Sequence, residues 1–163
     1  MGGASLIGSA IALVLLILTA YIVIGGILST TEIVSVAQSD QFHQLETRMR
    51  TAIEITDATI VDNTTLYIHL TNSGGETLLK YKYFDVYTLT GTSVEPVYYS
   101  YVPPAPAPAP TAGEWTYISI TPDLIHPNEL DPGEVMNISV KCTEKPTWIQ
   151  ITTGNGVYDS VYL

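Results

Sequence analysis

Residues 1–31 contain no Asp, Glu, Lys, Arg or His. All six basic and all 16 acidic side chains of the 163-residue chain, and with them its formal net charge of −10, lie from Glu32 onward. From Leu6 to Leu28 the chain reads LIGSAIALVLLILTAYIVIGGIL. A helix rises about 1.5 Å per residue, so roughly 20 apolar residues cross a hydrocarbon layer of about 30 Å. This segment is long enough. A helix packed in a water-soluble core is amphipathic, whereas this one is apolar on every side, which argues against a soluble-core helix. A cleaved secretory signal has a basic start and an apolar core of about 7–15 residues, and neither matches. A permanent membrane anchor and a pilin-type assembly helix remain.

The helical pattern does not stop where the apolar run ends. Phe42, Leu45, Met49 and Ala52 are spaced three, four and three, a heptad-like seam with polar residues between, and no Pro or Gly interrupts Ile27 to Ile55. The pattern predicts one helix over 1–55, dry in its first half and wet in its second, with a weak point at Gly25–Gly26. Candidate assembly contacts on it are Leu6, Ile11, Val14, Leu15, Leu18, Ile22, Ile24, Ile27 and Leu28. Small residues at its start (Gly2, Gly3, Ala4, Ser5, Gly8, Ser9 and Ala10) let neighbouring helices approach closely.

After about Thr56 the apolar period changes from 3.6 to 2. Leu66, Ile68 and Leu70 alternate with Tyr67, His69 and Thr71 before the turn Asn72-Ser73-Gly74-Gly75. Further strands are expected around Phe84–Leu89, Val94–Tyr101, Trp115–Ile120, Met136–Val140, Ile149–Ile151 and Val157–Leu163. Pro96 marks the second of these as an edge or irregular strand. Leu130-Asp131-Pro132-Gly133-Glu134 and Gly154-Asn155-Gly156 read as turns. Six to eight short strands without a helical pattern among them indicate an antiparallel sandwich. The expected fold is therefore α+β: a long hydrophobic helix over 1–55, then an immunoglobulin-like β-sandwich over 56–163. Alternating Pro and Ala within 103–113 make a stiff, extended loop between two strands rather than a ladder member.

Signals for chemistry are sparse. Cys142 is the sole cysteine, which rules out an intrachain disulfide, and its strand-like surroundings predict a small buried hydrophobe. His43, His69 and His126 show no metal-ligand spacing, and no nucleophile, phosphate-loop or dinucleotide motif occurs. Asp123, Glu129, Asp131 and Glu134 gather loosely around Pro-containing turns without matching a calcium loop. No catalytic residue, cofactor or metal is expected. Six basic residues without a patch, against 16 acidic ones, argue against nucleic-acid binding. Eleven tyrosines and two tryptophans exceed what strand propensity asks for, and about half are expected at protein contacts rather than in the core. Asn63-Thr64-Thr65 and Asn137-Ile138-Ser139 are sequons, making Asn63 and Asn137 candidate N-glycosylation sites.

The order of these features resembles archaellins and their archaellum accessory relatives, within the archaeal type IV pilin-like group. The likeness is carried by the uncharged helix Leu6–Leu28, its polar continuation Gln44-Leu45-Glu46-Thr47-Arg48, Leu70-Thr71-Asn72-Ser73-Gly74, Leu130–Glu134, and Gly154-Asn155-Gly156-Val157-Tyr158-Asp159. It covers most of the chain outside the Pro/Ala loop. The resemblance implies insertion in a membrane, secretion by a prepilin-peptidase-type route, and a filament whose core is a bundle of such helices with sandwich domains outside. Implied partners are sister copies, the membrane before assembly, the surface layer and N-linked glycans. Precursors of this kind carry a basic residue and Gly before the cleavage point; here only Met1-Gly2-Gly3 precedes the helix, as in a minimal leader or a mature chain. The Glu near the start of bacterial pilin helices is absent too, with Ser5 the nearest polar residue, which favours the archaellum-like branch. Three functions are compatible with these features: a filament subunit for motility or adhesion, a stator-type accessory anchored in the membrane and gripping the surface layer, or a membrane-tethered glycan- or ion-binding module built around exposed Trp115 or Trp148.

Overall fold

The structure, a computed structural model, describes residues 3–91, 93–104 and 109–163; the side chains of Ala4, Ser5, Leu6 and Ser29 lie outside the described set. The chain forms two compact units that divide after Gln44. Helix α1 spans Gly3–Arg50 and runs without a break through Gly25–Gly26. Its end falls short of the expected residue 55. Ala52, the last position of the expected seam, therefore lies beyond the helix, and Ile53–Thr56 belong to a strand.

Eight strands follow among the described residues: β1 Ile53–Val61, β2 Thr65–Asn72, β3 Asp85–Thr90, β4 Val97–Tyr101, β5 Glu114–Thr121, β6 Val135–Lys141, β7 Pro146–Thr152 and β8 Tyr158–Tyr162. A short 3-10 turn at Tyr81–Tyr83 precedes β3. The strands form one hydrogen-bonded order, β1-β2-β6-β5-β4-β3-β7-β8. This differs from the expected immunoglobulin-like pair of sheets. The cause is β4, which is antiparallel to β3 on one side and parallel to β5 on the other through Ser100–Glu114 and Tyr101–Trp115. That short strand joins the halves into a single sheet. The sheet curls until β1 meets β8, where the Ile55 N–H donates to Asp159 Oδ2 at 2.7 Å. The result is nearly a barrel, α+β as a whole and mostly antiparallel.

The alternation read from the sequence fills this barrel. Leu66, Ile68 and Leu70 on β2, Met136, Ile138 and Val140 on β6, and Ile149 and Ile151 on β7 are fully buried, together with Val86, Tyr99 and Trp115. Cys142 is buried beside them, and desolvation pushes its thiol pKa up, so it packs as a small hydrophobe. On β1 the alternation changes phase: Ile53 and Ile55 face inward before a bulge between Ile55 and Asp57, and Ala58 and Ile60 after it. β4 starts at Val97 rather than Val94, and Val94 stands almost wholly in solvent.

Within the second unit, the end of α1 is fastened to the base of the barrel. Helix ends leave carbonyls without partners. Here Gly75 N–H donates to the Arg50 carbonyl at 2.7 Å, Gly74 N–H donates to the Ala52 carbonyl at 3.0 Å, and Thr51 Oγ1 donates back to the Thr47 carbonyl at 2.8 Å. The Arg50 guanidinium reaches the Gly75 carbonyl and the Glu76 carboxylate, and Asn155 Nδ2 donates to Thr51 Oγ1 at 2.7 Å from the β7–β8 turn. Asn72, wholly buried, ties this base together. Its side-chain amide donates to the Glu76 and Leu130 carbonyls, its N–H donates to the Glu134 carbonyl, and its own carbonyl accepts from Gly133 N–H.

The close approach at Gly74 leaves no room for a side chain: a Cβ there would overlap Ala52 N and the Arg50 carbonyl oxygen, both backbone atoms. Next to it, Gly75 faces open space. Gly74→Ala is expected to destabilise the head by about 1–3 kcal/mol, the scale of overpacking against an unyielding neighbour, with Gly75→Ala close to neutral. Denaturant titrations of the full-length chain in detergent, followed by the fluorescence of buried Trp115, check the difference.

Candidate functional site

The surface that most needs a partner is α1 itself. Ile11, Val14, Leu15, Leu18, Ile22, Ile24, Ile27 and Leu28 are each more than half exposed. Leu13, Leu16, Ile17 and Val23 are equally so, and exposure alone therefore selects no single face. The side chain of the remaining candidate, Leu6, lies outside the described residues. The helix carries a stretch of mean hydropathy 2.8, long and apolar enough to cross a membrane. Its threonines make few demands on the surroundings. Thr19 Oγ1 donates to the Leu16 carbonyl, Thr30 Oγ1 to that of Gly26 and Thr31 Oγ1 to that of Ile27, so each hydroxyl proton is satisfied within the helix. A surface of this kind offers dispersion and apolar contact without hydrogen bonds, and so suits lipid or another apolar helix.

Past the apolar run, Phe42, Leu45 and Met49 are exposed as well. Leu45, Arg48 and Met49 fall within one helical turn of each other, in the unit that contains the barrel.

The second organised region is the β5–β6 loop, residues 122–134, at the same end of the barrel as the end of α1. It follows a cis Thr121–Pro122 bond and is held from within by carboxylates. Asp131, 2% exposed, accepts from Thr77 Oγ1 at 2.9 Å and from the His126 N–H at 3.0 Å, and pairs with His126 Nδ1 at 2.9 Å. Glu134 accepts from the backbone N–H groups of Asp131 and Leu124, and Asp123 from that of Asn128. These oxygens are committed to the loop's own donors, and among the described residues no cluster of three metal-ligating side chains occurs. The Asp131 carboxylate holds the His126 imidazole pKa above its ordinary value, and His126 in turn holds Asp131 below its own. Sequence reading missed this pair because its members are five residues apart across Pro127, a spacing typical of neither helix nor strand. It also missed Asn72 and Asn155, whose roles depend on turns meeting in space.

The two sequons differ in their surroundings. Asn63 is exposed at the tip of the three-residue β1–β2 turn, Asp62–Thr64, where Asp62 and Asn63 both take positive φ. Asn137 lies half-buried within β6, its Nδ2 donating to Ser119 Oγ at 2.8 Å. Trp115 is fully buried, stacked at a tilt against Tyr101, which removes it as the centre of an exposed glycan-binding cluster. Of the tyrosines, Tyr81 and Tyr99 are core, while Tyr83, Tyr98, Tyr158 and Tyr162 are exposed.

The model of the family described as archaeal-type flagellin matches residues 3–162, helix and barrel together. The chain belongs to that family. An archaellum-related role follows for this archaeal-type flagellin chain. A search of curated proteins gives no match. Among solved structures, the chain is similar to the archaellum periplasmic stator protein FlaG from Sulfolobus acidocaldarius, 26% identical over 69% of this chain and 99% of that one, TM-score 0.49. It is similar in the same degree to the stator complex of FlaF and FlaG from Sulfolobus acidocaldarius, 26% identical over 68% of this chain and 87% of that one, TM-score 0.49.

In this flagellin-family barrel the His126–Asp131 pair has a defined pH window. A raised histidine pKa means the pair's stabilisation is fully present below about pH 6.5 and fades as pH climbs through the folded value. A lowered aspartate pKa means it is fully present above about pH 4 and fades as pH falls through the folded value. Protection of the 126–131 amides against hydrogen exchange, corrected for intrinsic rates, is expected to peak between those limits. His126→Ala is expected to flatten the upper side of that peak.

Proposed function

We propose that this chain is a structural subunit of a cell-surface filament of the archaellum type, inserted in the membrane first and polymerising through α1 afterwards. The observation that carries this reading is the stretch of α1 from Gly3 to Thr31, which bears no Asp, Glu, Lys, Arg or His. From Ile7 to Leu28 its large aliphatic side chains are exposed on all sides. Such a helix is unstable in water and needs either lipid or copies of itself. Removing on the order of 1,500 Å² of apolar surface at about 25 cal/mol per Å² is worth tens of kcal/mol before ordering costs. Assembly on that scale is practically irreversible. Membership of the archaeal-type flagellin family supports the same reading. The filament would serve movement or adhesion, with the barrel on the outside.

The contacts would run through Ile11, Val14, Leu15, Leu18, Ile22, Ile24, Ile27 and Leu28, with Leu6 toward the start and Phe42, Leu45 and Met49 continuing the seam. Ala52, beyond the helix, drops out. Asn63 is the residue we assign to glycan attachment, because its side chain is free at a turn, whereas the Asn137 amide is engaged inside a strand.

Val14→Asp or Leu18→Lys puts a charge where water is excluded, at about 2.5–3.5 kcal/mol per site on the insertion scale. Either is expected to abolish filaments in sheared cell-surface material, as seen by electron microscopy. Intact filaments from both variants would sink the reading. If the unaltered chain is found at a few copies per cell, and not as the main band of sheared filaments, the stator-type accessory role replaces it. Mass spectrometry of that band is also expected to find glycan on Asn63 and none on Asn137.

A further inference from the structure

The loop at the base of the barrel displays two large aliphatic side chains for which its own chain has no use. Leu124 is 76% and Ile125 71% exposed, side by side. Their exposure is built in. Glu134 holds the Leu124 N–H, Asp131 holds the His126 N–H, and Asp123 holds the Asn128 N–H, so the tip is clamped on both flanks by carboxylates of the same loop. The loop is also acidic, and Glu129, half-buried at its edge, makes no direct ion pair among the described residues, although its charge acts on His126. At the same end of the barrel, α1 offers the complementary set. Leu45 and Met49 are 55% and 81% exposed, and between them Arg48, unlike Arg50, has no ion pair among the described residues.

The geometry points to a contact between copies: Leu124 and Ile125 of one barrel pack on Leu45 and Met49 of a neighbouring copy, with Glu129 facing that copy's Arg48. Charge complementarity selects a second copy over an anionic lipid surface, which the acidic loop would repel. The contact rests on the assembly reading above and adds its specificity. The apolar helix packs without direction, because apolar contact has none, whereas this pairing of ridge and loop fixes how far one subunit is shifted along the next.

The test co-expresses full-length chains bearing Met49→Cys with full-length chains bearing Ile125→Cys, and oxidises the sheared polymer. Cys142 is 1% exposed and does not compete. A disulfide-linked heterodimer exceeding either homodimer is the expected result. Polymer without the heterodimer overturns the contact and leaves the assembly reading intact. No polymer from the unaltered chain overturns both. Quenching of a fluorophore at position 125 by brominated lipid assigns the loop to the membrane and overturns the contact too. A second arm avoids cysteine altogether: Arg48→Glu is expected to lower filament yield roughly fivefold, the upper range for a solvent-accessible ion pair, and adding Glu129→Lys in the same chain to restore it. An unrestored double variant counts against the pairing.

Discussion

Everything in this chain follows from the incompatibility of its two halves with a common solvent. Residues 3–31 have nothing to offer water, while residues 32–163 carry all the charge. A hydrophobic helix can satisfy every backbone group internally except those at its ends, which makes the ends the costly places. The chain places the wet end of α1 in the base of the barrel, where Gly74 and Gly75 supply N–H groups to carbonyls that would otherwise face outward unpaired. Glycine is required at 74 because the two backbones approach too closely for a Cβ. The helix thus passes into the barrel through a hydrogen-bonded joint.

That joint draws on three separate turns, each a weak signal alone. Asn72 closes β2 and reaches Leu130 and Glu134; Leu130 pairs with Leu78; Asn155 comes from the far end of the chain to Thr51. Buried polar groups are expensive unless fully bonded, and fully bonded they specify one arrangement. Asn72 meets that condition, which makes it a registering element for the base as much as a source of stability. Asp131 behaves likewise: almost wholly buried as a carboxylate, it is surrounded by Thr77 and His126 donors.

Most of the barrel was legible in the sequence because period-2 alternation is a direct consequence of strand geometry, and β2, β6 and β7 bury on one face what they alternate. Where the structure departed, a local irregularity hid the signal. The bulge after Ile55 moves the inward positions of β1 from odd to even numbers, so Ala52 to Ile55 read as more helix. β4 has five residues and one parallel neighbour, and no sequence period reveals that such a strand will join two sheets into one. Trp115 was weighed as an exposed binding residue because composition does not tell the inside of a strand from its outside; its register opposite Val140 does. Contacts that depend on loops meeting, such as His126 with Asp131, have no periodic signature at all. For the helix, by contrast, the absence of charge was sufficient, since no fold can hide roughly 20 uniformly apolar residues in a head of this size.

In the proposed filament, packing such helices side by side would raise a difficulty that the apolar segment cannot resolve. Each copy brings a barrel with a large excess of acidic over basic side chains, and like-charged heads repel wherever they come within a Debye length, about 8–10 Å at ordinary salt. Hydrophobic association tolerates this because its scale is far larger, but it leaves subunit spacing undetermined: apolar surfaces slide. Spacing must come from directional contacts outside the lipid-like zone, and the few basic residues are the scarce element there. Lys141 is spent on Thr64 and Thr65, Lys82 rests over Tyr83, and Arg50 belongs to the joint with Glu76. Among the described residues Arg48, on the exposed turn of α1 flanked by Leu45 and Met49, has no such engagement, and neither do the exposed Lys80 and Lys145. In the assembly proposed above, an acidic head packing against its own kind would draw on an uncommitted arginine at its base, and an acidic, apolar-tipped loop at the same end is the surface that such an arginine would meet.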